Sequence, residues 1–177
     1  MKSMGGAAAV AAMGLGLTFA SPAAALPGCE AFLQKMRADG GDIGLEYSRA
    51  LVVSRVHTSR ADYDVTTNAD VDGTLVCQGD QFVRFEAHAL EPMRGKSTEG
   101  FARLQQLAMK AALGWDGSKA KSESRGLSGE AHEYLAASRE RGDVYISGKT
   151  ERHEPGGVGV GMIFTEIDRS FVIVAEE

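Results

Sequence analysis

Residues 72–90 read DGTLVCQGDQFVRFEAHAL, and their reading decides the fold. Apolar and polar residues alternate on both sides of Gly79-Asp80, which is a period of two and the pattern of a half-buried strand. Gly79-Asp80 is a two-residue connector of the kind that tolerates positive φ, so 74–78 and 81–90 are predicted to form a hairpin. The same alternation extends upstream through 62–71 and 46–57. Asp72-Gly73 and Ser59-Arg60 are read as the intervening turns, which gives an antiparallel meander of four strands.

Counting with two-residue turns sets an expected register. Ala50, Ala69, Val76 and Val83 fall in one row, beside Val71 and Phe85, on the main core face. The other face pairs Arg55 with Asp64 and His57 with Asp62, and it carries Arg84, Glu86 and His88 along one strand. A row of Leu51, Asn68, Cys77 and Phe82 on that polar face needs a cover.

The segment before the meander supplies one. Pro27 suits a first helical turn, and Cys29, Phe32, Leu33 and Met36 then recur on one helical face, so Cys29 points toward Cys77. The chain has these two cysteines and no others. Their wide separation fits neither a C-x-x-C redox pair nor a zinc knuckle, and a Cys29–Cys77 disulfide is expected.

Downstream of Pro92 the period becomes helical. Phe101, Leu104, Leu107, Ala108 and Ala111 form a stripe between Ser97, read as the N-cap, and Gly114, read as the stop. Residues 116–124 are polar and read as a loop. A further helix is predicted over 128–141, with Glu130 and Glu133 in its first turn and Arg139 and Arg141 in its last. Strands are predicted at 144–149, 158–167 and 170–175. The fold class is therefore α+β: a four-stranded meander plus three C-terminal strands in an antiparallel sheet, with about three helices packed on it.

The N-terminus, MKSMGGAAAVAAMGLGLTFASPAAA, has one Lys, an uncharged run rich in Ala and Gly, and a small-x-small exit. This is the grammar of a secretory signal peptide over 1–25, cleaved between Ala25 and Leu26, with a single exported domain over 26–177. Leu26-Pro27-Gly28-Cys29 offers an alternative, a lipobox with the chain anchored through a lipidated Cys29. Pro27 beside the scissile bond and the early end of the apolar run argue against it. The expected location is periplasmic or secreted, with no integral membrane segment in the mature chain. A net charge of −5 gives no electrostatic footprint for nucleic acid.

No motif carries a reaction. Gly95-Lys96-Ser97-Thr98 ends like a P-loop, but the position that loop reserves for its first glycine is Leu90. Gly126-Leu127-Ser128-Gly129 misses the nucleophile elbow by one residue. His132-Glu133 lacks the second histidine of a zinc-protease helix, and His153-Glu154-Pro155 reads as an exposed loop. The alternating glycines at 157, 159 and 161 are read as a site of close approach within a strand. No cofactor, metal site or catalytic residue is expected.

The composition favours a small exported domain that binds an unknown ligand or envelope protein without catalysis. The alternative is an envelope hydrolase or metal-dependent enzyme using Arg84, Glu86, His88, His57 and Asp62 on the polar sheet face.

Overall fold

The computed structural model describes residues 26–50 and 60–176. The strands are β1 (Glu46–Arg49), β2 (Arg60–Thr66), β3 (Asp72–Gln78), β4 (Gln81–Leu90), β5 (Ser147–Glu154), β6 (Val158–Thr165) and β7 (Asp168–Ala175). They form one seven-stranded antiparallel sheet in the order β1-β2-β3-β4-β7-β6-β5. Three helices, α1 (Cys29–Asp39), α2 (Lys96–Leu113) and α3 (Gly117–Arg141), pack on the sheet, with a short 3-10 turn at Gly41–Ile43. This is the α+β fold that the alternation predicts.

Cys29 and Cys77 form the expected disulfide, with Cα atoms 6.3 Å apart. Around it the start of α1 is stitched to the β3–β4 turn. Gly28 bridges to Gln81, the Cys29 amide donates to the Asp80 carbonyl at 2.9 Å, and the Glu30 amide donates to the Asp80 carboxylate at 3.3 Å. The Asp80 carboxylate thus meets the positive end of the α1 dipole.

The register differs from the expected one at two places. First, Gly79-Asp80 does form the β3–β4 turn, with Cys77 opposite Phe82, but the ladder then slips so that Val76 faces Arg84 and Leu75 faces Phe85. Val83 is the extra residue of a β-bulge. Because a strand alternates faces, this one residue brings Phe82 and Phe85 to the same side. Phe32 of α1 packs against both, at ring-centroid distances of 5.1 and 5.4 Å. Leu75 and Phe85 are fully buried, whereas Val76 and Val83 lie on the other face, half-buried. The helix α1 therefore covers the same face as α2 and α3, not the opposite one.

Second, the β2–β3 connection is centred on Asn68–Asp70 rather than on Asp72-Gly73. The Thr67 hydroxyl donates to the Val71 carbonyl at 2.7 Å and accepts from the Ala69 amide at 3.2 Å, and Asp70 takes the positive φ of 53°. Gly73 sits inside β3 opposite Ala87, where a Cβ would come within 3.0 Å of the Glu86 carbonyl and 3.1 Å of the Phe85 ring. Ala61, not Asn68, is consequently opposite Cys77, and Asp64 is opposite Ser48. The expected partners Leu51, Arg55 and His57 lie outside the described residues.

Helix α3 begins eleven residues earlier than its apolar pattern suggests. Asp116 caps it by accepting from the Lys119 amide at 2.8 Å. Its buried residues are Ala120, Ser124, Leu127, Ala131, Leu135 and Ser138, a stripe at helical spacing built mainly from small side chains. Small residues let the helix sit close to the sheet, and at Gly148 an added Cβ would lie 1.9 Å from the Ala131 carbonyl oxygen. The strand β5 is also displaced, to 147–154. Its inward residues Thr150 and Arg152 are polar and bond to α3: Thr150 to Glu130 at 2.8 Å, and Arg152 to both Glu123 and Glu130.

The disulfide closes a loop of 48 residues, which contributes about 3–4 kcal/mol in the chain-entropy model. Intact-mass analysis is expected to show both thiols alkylated only after reduction. Reduction itself is expected to lower the unfolding free energy by about that amount in urea titrations. Alkylation of either cysteine in unreduced, folded protein refutes the pairing.

Candidate functional site

The two faces of the sheet offer different chemistry. On the uncovered face, cross-strand neighbours form rows. Asp64, Thr74, Glu86, Val172, Gly161 and Glu151 make one row, and Asp62, Val76, Arg84, Val174, Gly159 and His153 the next. Arg84, Glu86 and His88 are brought together as the alternation predicts. Arg84 pairs with Glu86, and the His88 Nε2 lies 3.4 Å from the same carboxylate. Asp62 is on this face two strands away, paired with Arg60 at 2.8 Å. His57 lies outside the described residues.

Ser170 of β7 joins this cluster, its hydroxyl 3.1 Å from the His88 Nδ1. Serine, histidine and glutamate thus stand in sequence, but two features count against an acyl-transfer site. The Asp168 carboxylate, 3.0 Å from the Ser170 hydroxyl, competes with the imidazole for its single proton. The paired amides of β4 and β7 around it are spent on the ladder, which leaves none of them to hold an oxyanion.

The helix face carries a cleft of about 760 Å³ between α2, α3 and the end of the sheet. Its floor and walls are apolar at Ile43, Met93, Phe101 and Phe164. Lys96, Lys121, Arg125 and Arg169 supply positive charge around them. Arg169 is paired with Glu91 and lies over the Phe164 ring, 4.6 Å from its centroid. Lys96, Lys121 and Arg125 make no ion pair among the described residues.

Two buried or half-buried polar groups line the same cleft. Gln105 of α2 is fully buried; its amide oxygen accepts from the Ser124 hydroxyl at 2.7 Å, while its Nε2 has no partner among the described residues. An unmet buried donor costs about 1–3 kcal/mol, so such a group is commonly met by water or a ligand. His132 packs edge-on against Phe164, with centroids 4.7 Å apart. Burial, together with the nearby Arg169 and Arg139 guanidinium groups, holds its pKa below the ordinary imidazole value despite the opposing charge of Glu91. Ser128, one turn before His132 on α3, directs its hydroxyl to the Met162 sulfur at 3.4 Å. No hydrogen-bonded nucleophile–base pair forms in the cleft among the described residues.

None of these cleft residues was singled out as a site by sequence pattern. His132 and Ser128 belong to motifs that the sequence does not complete, and Gln105 carries no motif at all. The signal that marks it is a glutamine at 105, one position from the buried row Phe101, Leu104, Ala108, on a helix whose inner face is otherwise almost wholly apolar. No family model, curated protein or solved structure matches the chain.

The lowered pKa of His132 means that the unfolded chain takes up a proton first as pH falls. Stability is then full above the ordinary imidazole value of about 6.5 and declines below it. In urea unfolding between pH 7.5 and 5, His132→Gln is expected to show a shallower loss of stability than the wild type. Equal slopes in the two proteins would show that His132 is not held neutral.

Proposed function

We propose that the protein is a small exported, non-catalytic binding domain whose ligand, an apolar body bearing an anionic group, lies in the cleft between α2 and α3. The observation that carries this reading is the Nε2 of the fully buried Gln105, unpartnered among the described residues, in a cleft that Phe101, Met93 and Phe164 line together with the exposed Lys96, Lys121 and Arg125. A site with apolar walls and a few placed polar groups is the general form of a small-molecule pocket. The rim charges attract an anion and orient it, while Gln105 has a hydrogen bond to give.

Export is supported by the leader-like N-terminus and by the Cys29–Cys77 bond, which suits an oxidising compartment. A thioether-linked lipid at the Cys29 sulfur and that disulfide are mutually exclusive, so the bond favours cleavage at Ala25. No helix among the described residues is long and apolar enough to cross a membrane. Protein collected from the periplasm of a bacterial host is expected to have an intact mass beginning at Leu26. A mass beginning at a diacylated Cys29 overturns both the cleavage site and the disulfide.

For the ligand, titration calorimetry with dodecanoate, and with inorganic phosphate for comparison, tests the two halves of the recognition separately. Dodecanoate is expected to bind, and Lys121→Ala with Arg125→Ala to weaken it roughly tenfold, about 1.4 kcal/mol. Gln105→Leu is expected to weaken it further while leaving the fold intact, since Leu fits the apolar surroundings. Binding that ignores all three substitutions places the ligand elsewhere. Binding of phosphate as tight as that of dodecanoate removes the apolar half of the reading.

A further inference from the structure

We infer that the uncovered sheet face carries a divalent-cation site, built from Glu151 and His153 of β5 and Glu176 just beyond β7. Ligand atoms of the three side chains all lie within 4.8 Å of one another. One imidazole nitrogen and two carboxylates are donors that suit zinc and similar borderline divalent ions. Around a zinc ion at about 2.1 Å, donors stand roughly 3.4 Å apart, so the three converge with small rotations of exposed side chains. Three protein ligands also leave a coordination position for water or an incoming group.

The backbone around the trio is shaped for it. Residues 151 and 153 project from the same side of β5 because they are two apart. Directly across the ladder from them stand Gly161 and Gly159, with no side chains to fill the space. At Gly159 an added Cβ would lie 2.8 Å from the Glu176 Oε1 and 3.0 Å from the Val174 side chain, so Glu176 reaches His153 only over a glycine. The Glu176 amide donates to the Gly157 carbonyl at 2.7 Å, which fixes the residue beside the β5–β6 turn. Gly157 and Gly159 of the alternating run thus have a specific use: they let Glu176 fold back onto the sheet.

The polar contacts within the trio leave it free to accept an ion. His153 Nδ1 and Glu176 Oε1 are 2.6 Å apart, sharing the proton that a cation would replace. Lys149 Nζ is 3.1 Å from the Glu151 Oε2, which leaves the other carboxylate oxygen available. The cluster is separate from the α2–α3 cleft, which lies on the other side of the sheet, and from the Glu86 and His88 pair on β4, three strands from β5, so its test does not depend on either.

The test is titration of tag-free protein with zinc chloride by calorimetry, repeated with cobalt chloride and read by visible absorption. One equivalent is expected to bind. His153→Ala and Glu176→Gln are each expected to weaken zinc at least tenfold, and Gly159→Ala to do the same by displacing Glu176. His88→Ala, which removes a histidine from the same face, is expected to leave the affinity unchanged. Circular dichroism melts check that the variants fold, and the exposed positions 153 and 176 make loss of fold a separable outcome. Absence of binding at millimolar zinc overturns the inference. So does binding that His153→Ala leaves intact or that His88→Ala abolishes.

Discussion

The clasp between the start of α1 and the β3–β4 turn is the constraint on which the rest of the fold depends. It combines a covalent bond, Cys29–Cys77, with backbone pairing at Gly28 and Gln81 and a carboxylate from Asp80 at the helix N-terminus. Each alone is modest beside the entropy of ordering the chain. Together they fix the azimuth of α1, and that azimuth points Phe32, Leu33 and Met36 onto the sheet, where all three are fully buried. The bulge at Val83 completes the arrangement by giving Phe32 two aromatic partners on one face. From α1 the order passes to α2 through surface ion pairs, Lys110 with Asp39 and Arg103 with Asp42. Pairs of this exposed kind contribute little energy, so they set position more than stability.

With all three helices on one face, the sheet is divided chemically. The covered face is apolar through the rows of Leu75, Phe85, Ile173 and Val160 and of Ala87, Phe171 and Met162. Two of the polar groups that enter it are met by a helix, and Arg169 is met by Glu91 from the loop after β4. Arg152 and Thr150 are held by Glu130, whose pKa is lowered first by the Thr150 hydrogen bond and then by Arg152. Gln105 is the exception: its oxygen is met by Ser124 and its nitrogen is not. The uncovered face instead alternates charged side chains with Val76, Val172, Val174 and glycine.

Much of this was legible in the sequence, and the parts that were not share a cause. The helix α1, the Gly79-Asp80 turn, the disulfide and the overall order of elements are local statements, carried by period and by turn residues within a few positions of one another. The Val83 bulge is not local: it is favoured because Phe32, fifty residues earlier, needs both Phe82 and Phe85. The β2–β3 turn was misplaced because Asp-Gly is a stronger turn signal than Asn68-Ala69-Asp70. Yet Gly73 was needed inside a strand, under the Phe85 ring, where no side chain fits. The first turns of α3 were hidden because Ala120 and Ser124 are small, so burial there carries almost no hydropathy. The early limit set for β5 arose likewise, from inward residues that are polar but satisfied. The cleft could not be read at all, since its lining runs from Asp42 to Arg169 across five elements and two loops.

The three described histidines show why residue type alone could not locate a site. His88 is exposed, in an array where Asp168 competes with it for the Ser170 hydroxyl. His153 is also exposed, yet it faces two carboxylates across a floor of glycine, a setting that suits a cation. His132 packs against Phe164, and burial, with Arg169 and Arg139 nearby, lowers its pKa. A neutral imidazole against an aromatic ring, with no nucleophile hydrogen-bonded to it, adds an apolar surface and one hydrogen-bonding edge to the cleft. Proton transfer needs a partner within reach, and here the nearest hydroxyl on its helix face is engaged by a thioether. Each of the three described histidines is placed by what packs around it, and none by its neighbours in sequence.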